Sequence, residues 1–150
     1  MSGPSLSEPA IKQFIERACR EVEKRDYFLL EHDVSEWAIA HRLAVYLEGY
    51  FGEYDVDCEY NTMPGELGRY AHNEHIPKTI AGHPKRPDII IHRRGSKSAG
   101  NLATIELKKA GNKDGFTDDQ NDLVALRDKF DYQILCQLVI NNEGLIPIWL

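Results

Sequence analysis

The chain has 150 residues, of which 42% are hydrophobic and 28% charged, with a formal net charge of −6. This length and composition predict one globular domain, 1–150, with a real core, and no apolar run approaches the roughly 20 residues of a membrane span, which excludes a membrane partner. The three cysteines share no CxxC spacing and the N-terminus resembles no signal peptide, so we expect reduced thiols and a cytoplasmic protein.

Two amphipathic helices are predicted before the first strand. The first spans Ser7 to about Lys24, with Ser7 as its N-cap and apolar residues at helical spacing. It forms most of an N-terminal helical extension, residues 1–32. The second helix spans Asp33 to about Phe51, and one side of it is expected to be largely buried. Its apolar stripe consists of Trp37, Ala40, Ala44, Leu47 and Phe51.

Glu36 lies in the first turn of the second helix, and two roles stay open for it. Asp33 and Glu36 have the spacing of a capping box, in which Glu36 would only satisfy backbone N–H groups at the helix start. Glu36 also shares a helix face with Leu43 and Leu47, which alternatively directs its carboxylate inward, toward a site.

The first strand and a long loop follow. Residues 55–61 alternate between apolar and polar, which predicts a half-buried strand with Glu59 on its polar side, as a solvated charge or as part of an acidic site. Residues 62–85 show no periodicity and contain several glycines and prolines. This pattern predicts a long loop insertion that closes over a substrate or varies between relatives. Its histidines lack the partner motifs of a zinc site.

Two short strands rich in β-branched residues, 86–92 and 102–109, are predicted to form a hairpin. Antiparallel pairing would put Asp88 opposite Glu106, where two like charges destabilise a sheet unless a cation lies between them. Lys108 points to the same face as Glu106 because strand side chains alternate. Two carboxylates beside an ammonium group predict a site for a hard divalent cation such as Mg²⁺.

The chain after the hairpin is predicted to form a helix and two strands. Thr117 and Gln120 have capping-box spacing, and the helix that they open ends near Asp131. Residues 132–140 form a nearly continuous apolar run, which is typical of a central strand buried on both faces. A turn then leads to a last strand, 145–150, which is expected to pair antiparallel with its predecessor.

The chain resembles the PD-(D/E)XK nuclease superfamily in two motifs, Pro87-Asp88 and Glu106-Leu107-Lys108, and in the order of its predicted elements. The resemblance covers residues 33–140. It implies an α/β protein of the restriction-endonuclease-like fold, with an αβββαβ core and a central mixed sheet flanked by helices. This chain would add an N-terminal helix and a C-terminal strand to that core. It looks like the small stand-alone members of the superfamily.

The resemblance implies metal-dependent hydrolysis of phosphodiester bonds, with DNA as the expected substrate. Asp88 and Glu106 would hold Mg²⁺ or Mn²⁺ together with the backbone carbonyl of Leu107. Lys108 would position the attacking water or help to deprotonate it. Glu36 would hold a second metal ion or an associated water.

Basic residues cluster around the hairpin although the chain is acidic. Positions 85–113 contain eight basic and two acidic residues, a charge of +6 that leaves −12 for the remainder of the chain. Such a local footprint binds phosphates or is simply a solvated turn, and both readings stay open. The candidate nucleic-acid-binding residues are Arg86, Arg93, Arg94, Lys97 and Lys109. The candidate accessory residues of the site are Gln133 and Glu59.

Two other functions stay open. One is a non-catalytic nuclease-fold module that binds nucleic acid or a protein partner, and the other is a structural or regulatory protein that retains the fold. Binding alone does not need clustered, mutually repelling carboxylates, which argues against the first, whereas the acidic body of the chain argues for it. Cleavage of both DNA strands by so small a domain would favour a two-fold homodimer.

Overall fold

A computed structural model describes residues 6–58, 62–64, 75–77, 79–80, 83–84, 87–95, 100–112 and 116–150. The helices are α1 (Glu8–Arg25), α2 (Tyr27–Glu31), α3 (Glu36–Tyr50) and α4 (Phe116–Phe130). The strands are β1 (Asp55–Cys58), β2 (Thr62–Pro64), β3 (His75–Pro77), β4 (Thr79–Ile80), β5 (His83–Pro84), β6 (Ile89–His92), β7 (Asn101–Lys109), β8 (Ile134–Ile140) and β9 (Leu145–Trp149).

Five strands form a mixed sheet in the order β1-β6-β7-β8-β9. β7 and β8 run parallel, and the other neighbours are antiparallel. Parallel neighbours need a crossover connection, and α4 supplies it here. The predicted α/β class, with a mixed sheet flanked by helices, is therefore confirmed. The segment predicted as a loop, 62–85, contains two small two-stranded ribbons instead, β2–β3 and β4–β5.

Side chains alternate along the strands, so this sheet has an apolar face on each side, and helices cover both of them. Ile89 and Ile91 of β6 join the cluster built with α1 and α3, whereas Ile90, between them, joins Leu123 and Leu126 of α4 on the opposite face. All three isoleucines are fully buried. Among the described residues, both faces of β6 are thus covered by helices. None of the described helices combines the length and apolar character needed to cross a bilayer.

The N-caps of α1 and α3 differ in how well the sequence predicts them. The Ser7 hydroxyl accepts a hydrogen bond from the N–H of Ala10, which confirms it as the cap of α1. α3 begins at Glu36 and is capped by Ser35, whose hydroxyl accepts from the N–H of Ala38. The predicted Asp33 cap is wrong, because Asp33 lies two residues earlier in a left-handed conformation with φ of 48°.

The capping box predicted for α4 is also wrong. The helix already includes Phe116, so Thr117 lies inside it and cannot be its cap. The amide of Gln120 turns to the sheet instead, where its Nε2 donates a hydrogen bond to Oε1 of Gln137 at 2.8 Å. The C-terminus of α4 is better predicted, since the chain leaves it at Asp131 in the left-handed conformation that ends many helices.

Trp37 does not belong to the buried stripe of α3. The helix buries Ile39, Leu43 and Leu47, with Ala40 and Ala44 beside them, but 69% of Trp37 is exposed. Trp37 lies in the first turn of the helix, where its indole flanks a cavity rather than the sheet core. The expectation that Trp37 is a core residue is therefore wrong.

A charged cluster fastens β1 to β6. Asp57 of β1 accepts hydrogen bonds from Nε of Arg94 at 2.9 Å and lies 2.7 Å from Nε2 of the buried His92. Burial raises the pKa of the Asp57 carboxyl, but the hydrogen bonds from Arg94 and His92 together outweigh burial, so that its pKa lies below its usual value. Asp55 accepts from the backbone N–H of Arg94 at 2.9 Å, at a more exposed position.

We expect Asp57→Asn to lower the free energy of unfolding at pH 7 by about 1–3 kcal/mol, because it removes the charge that the buried His92 and the exposed Arg94 both contact. The folded pKa of Asp57 is lowered, so its charge stabilises the fold above the unfolded-state pKa of about 3.9, and this stabilisation is lost as the pH falls through the folded pKa. Urea denaturation at pH 7 and at pH 3 should show a smaller difference from the wild type at pH 3.

Asp55→Asn is the matched control, since Asp55 binds the same arginine from an exposed position, and its effect should be smaller at both pH values. An equal loss of stability for Asp57→Asn at pH 7 and at pH 3 would contradict a charge-dependent role.

Candidate functional site

Two carboxylates meet where β6 begins. Ile89 pairs with Ile105, so the next pair outward is Asp88 and Glu106, as the predicted hairpin requires. The backbone N–H of Asp88 donates to Oε1 of Glu106 at 3.2 Å, and Oδ2 of Asp88 accepts from the N–H of Leu107 at 2.8 Å. Each carboxylate thus accepts a hydrogen bond from a backbone N–H of the other segment. Both carboxylates lie at the end of the β6–β7 ladder.

A third carboxylate joins them from α3. β7 continues past the first residue of β6, and the N–H of Lys109 on this edge donates to Oε1 of Glu36 at 3.3 Å. Alternate residues of a strand direct their N–H groups to the same side, so Leu107 and Lys109 both face the edge that β6 has vacated. Asp88 and Glu36 act there as acceptors in place of a neighbouring strand.

The backbone carbonyl of Leu107 belongs to the same edge. In an antiparallel ladder one residue offers both its N–H and its C=O to the same neighbour. Because the N–H of Leu107 is bound by Asp88, its carbonyl oxygen also faces the side where the carboxylates converge. Three carboxylates and one carbonyl therefore border the extension of β7.

The two lysines of this strand have different surroundings. Lys108 is half-buried and, two residues after Glu106, lies on the same face of the sheet. Lys109 points to the opposite face, where its Nζ forms an ion pair of 3.0 Å with the carboxylate of Asp33. Its charge is thus used to hold the start of α3 against β7. Its predicted role in binding nucleic acid stays a prediction.

Gln137 is a polar residue of this region that sequence reasoning missed. It pairs with Glu106 across the parallel β7–β8 ladder, is fully buried and accepts the hydrogen bond from Gln120 described above. Its signal in the sequence is a single polar residue within the apolar run 134–140. The predicted accessory residue Gln133 is exposed and lies at the far end of β8, where its N–H donates to Leu102.

Arg93 and Arg94 are the remaining candidates that the structure describes, and it does not bring them to the carboxylates. Arg93 and Arg94 follow β6 at its other end, roughly 17–20 Å along an extended strand from Asp88. Arg94 is bound by the acidic residues of β1, and Arg93 lies over the ring of Tyr54 at 4.6 Å. Arg86, Lys97 and Glu59 lie outside the described residues.

A cavity of about 260 Å³ opens beside the carboxylates, between the first two turns of α3 and the ends of β1 and β6. Its lining combines acidic, aromatic and small side chains: Glu36, Trp37, Ala40, His41, Cys58 and Asp88. Two of the three converging carboxylates thus form part of its wall, which makes the cavity and the carboxylate cluster one continuous site.

The donor set fits a hard divalent cation. Among the residues that the structure describes, no group of three or more His, Cys, Asp or Glu side chains is arranged to hold a metal ion. Mg²⁺, however, is usually held by one or two carboxylates while water and substrate phosphates complete its shell. The Asp88 and Glu106 carboxylates with the carbonyl of Leu107 are such a partial oxygen set. The residues therefore fit Mg²⁺ or Mn²⁺ rather than a closed cage.

No protein-family model, no curated protein and no solved structure matches the chain.

The reactivity of the three thiols tests whether the cavity wall at Cys58 is exposed to solvent. Burial raises the pKa of the Cys19 thiol to about 12 and also raises the pKa of Cys136, whereas Cys58 is exposed at the cavity wall. The thiolate is the reactive form, so only Cys58 should react quickly with a disulfide reagent. We expect one fast thiol per native chain and three in urea. Cys58→Ser should remove the fast phase, and a native chain with two or more fast thiols would contradict this packing.

Proposed function

We propose that this protein is a metal-dependent nuclease that hydrolyses phosphodiester bonds in nucleic acid. The observation that carries the proposal is the convergence of Asp88 and Glu106 at the start of β6, with Glu36 beside them on the edge of β7. Carboxylates repel one another, and the pair Asp88 and Glu106 beside the Leu107 carbonyl is the partial oxygen set that a hard divalent cation binds.

The order of the elements supports the same proposal. From α3 onward the sheet elements follow as α3, β1, β6, β7, α4 and β8, with β7 and β8 parallel. This order is the one expected of an αβββαβ core of the PD-(D/E)XK superfamily, with Asp88 directly before the second strand and Glu106 on the third. We therefore propose a restriction-endonuclease-like core, to which α1, α2 and β9 are additions.

The proposed chemistry assigns a role to each residue. Asp88, Glu106 and the Leu107 carbonyl would hold Mg²⁺ or Mn²⁺, and the bound ion supplies Lewis-acid stabilisation of the charge on the scissile phosphate. Lys108 donates a hydrogen bond to the attacking water from the face that it shares with Glu106. Glu36 orients water at the outer end of the site. The bond from the water oxygen to phosphorus forms as the bond to the leaving oxygen breaks, the water loses a proton to solvent, and the leaving oxygen takes up a proton from solvent and departs as a hydroxyl group.

DNA is the proposed substrate, by analogy with the superfamily. The excess of basic residues between positions 85 and 113 supports a polyanionic partner, although the body of the chain is acidic. Cleavage of both strands of a duplex would require a two-fold homodimer, since the described residues contain one such site per chain.

One observation favours a non-catalytic module as the second candidate. Each of the three carboxylates already accepts a backbone N–H, from Asp88, Leu107 or Lys109. An edge that is satisfied in this way is stable without any ligand. The same residues would then be structural, and the protein would bind nucleic acid or a protein partner without cutting it.

Glu106→Gln separates these two functions, because it removes the charge but retains an oxygen that can accept from the N–H of Asp88. We expect cleavage in Mg²⁺ or Mn²⁺ to fall at least about 100-fold, as for removal of a key electrostatic group, while the melting temperature changes little. The assay offers duplex DNA, single-stranded DNA and RNA to the wild type, with EDTA as the blank.

Glu48→Gln is the matched control, an exposed carboxylate at the far end of α3, and it should cut like the wild type. Cleavage that survives Glu106→Gln would assign the activity to a contaminant. A Glu106→Gln variant that unfolds would make Glu106 structural and favour the non-catalytic module.

Metal binding gives a second test that does not depend on the substrate. A ligand that binds only the folded chain stabilises it by about 2.7 kcal/mol at 100 times its Kd. We expect Mn²⁺ to raise the melting temperature of the wild type and of Glu48→Gln but not of Glu106→Gln. An equal rise in all three proteins would place the ion elsewhere, and no rise in any of them would contradict the proposed site.

A further inference from the structure

Trp37 is exposed in an unusual setting. An exposed apolar side chain on its own needs no explanation, but 69% of this indole is exposed at the wall of a cavity that also contains Glu36 and Asp88. The first turn of α3 therefore presents a large aromatic surface to solvent directly beside the carboxylate cluster. A core or capping role does not account for Trp37, since the core of this helix consists of other residues.

The walls of the cavity suit a flat ring. Trp37 and His41 are four residues apart and so share one face of α3, with the small Ala40 between them. Cys58, at the end of β1, also lines the cavity. The volume of about 260 Å³ is below the roughly 300–1,000 Å³ of pockets for drug-sized ligands, so it suits one ring system rather than a chain of them.

We propose that this cavity binds one unpaired nucleobase, stacked on the indole of Trp37, while the adjoining phosphate lies at Asp88 and Glu106. The proposal rests on the nuclease function proposed above and names its substrate class. The enzyme acts on single-stranded nucleic acid, or on a flap or frayed end that offers an unpaired base.

Physical chemistry favours a base over other occupants. Bases stack on exposed aromatic side chains whatever their sequence, and every base has a face to offer. The carboxylate of Glu36 in the cavity wall disfavours an anionic ring but accepts hydrogen bonds from the amino groups of a neutral base, whereas the phosphate would lie at the ion that Asp88 and Glu106 would hold. A base inside a duplex is already stacked on both faces, so a duplex cannot fill the cavity without unpairing.

The experiment follows the fluorescence of Trp37 directly. The chain has two tryptophans, and Trp149→Phe leaves Trp37 as the single indole. This variant is titrated with a 12-mer DNA single strand, the same sequence as RNA, and the blunt DNA duplex, in Ca²⁺ in place of Mg²⁺. We expect either single strand to quench the emission of Trp37 by stacking, and the duplex to quench it much less.

Substitutions then connect the signal to function. By the usual strength of base–aromatic stacking, Trp37→Ala should weaken binding of the single strand by roughly 5- to 150-fold. Trp37→Phe retains an aromatic face and should recover most of this loss. Phe28→Ala is the matched control, because Phe28 is 65% exposed but does not line the cavity, and it should bind like the wild type.

The outcomes separate this proposal from the function on which it rests. If Trp37→Ala binds and cuts single strands like the wild type while Glu106→Gln is inactive, the protein is a nuclease and the base site is wrong. If single strands quench Trp37 but no variant cuts, the base site stands and the nuclease function is wrong. Equal quenching by the duplex would overturn the preference for an unpaired base.

Discussion

The extension of β7 beyond its neighbour β6 is the constraint on which the candidate site depends. A strand that outruns its neighbour exposes N–H and C=O groups that need partners, because an unsatisfied backbone group at a partly buried position costs free energy. Here the N–H groups of Leu107 and Lys109 are bound by the carboxylates of Asp88 and Glu36. Backbone satisfaction is thus what draws an acidic side chain from α3 to one from the start of β6. The concentration of negative charge is a direct result.

The helices on both faces explain why this edge is available to a ligand. α1 and α3 cover one face of the sheet and α4 covers the other, so that little of the central strands remains open. The first turn of α3 reaches beyond the end of β1, and the cavity lies in the space between them. On the α4 side, the fully buried amide of Gln137 pairs with Glu106 across the β7–β8 ladder and accepts a hydrogen bond from Gln120. Gln137 thus brings a buried polar group next to the carboxylates, as His92 does beside Asp57 at the other end of β6.

The sequence predicted the strands better than the details at helix ends. Alternation and β-branched residues identified the β6–β7 hairpin and its register, because a slip of one residue would reverse every side chain between two buried faces. The capping boxes predicted at Asp33 and Thr117 are wrong for two reasons. Near Asp33, the hydroxyl of Ser35 caps α3 instead. At Thr117, the side chain of Gln120 binds Gln137 of the sheet instead of the helix N-terminus. The cap motif is local, whereas its outcome depends on distant contacts.

The site itself was predictable only in part for the same reason. Opposition of Asp88 and Glu106 follows from hairpin geometry, which the sequence contains. The cavity depends on where α3 begins relative to the end of β1, and no periodic pattern encodes this relation. Helical spacing therefore placed Trp37 in the apolar stripe of α3. Its exposure, however, is decided by tertiary packing, because a cavity rather than the sheet core lies beside it.

The hydrogen bonds of Asp88 and Glu36 span different lengths of chain, and this difference predicts the order in which the site folds. The bond between Asp88 and Leu107 closes a loop of 19 residues, whereas the bond between Glu36 and Lys109 closes one of 73. The longer closure costs roughly 1.2 kcal/mol more in chain entropy. The hairpin can thus assemble its two carboxylates early and alone, and the third arrives only when α3 docks. A partly folded chain would present an acidic pair without the aromatic wall beside it.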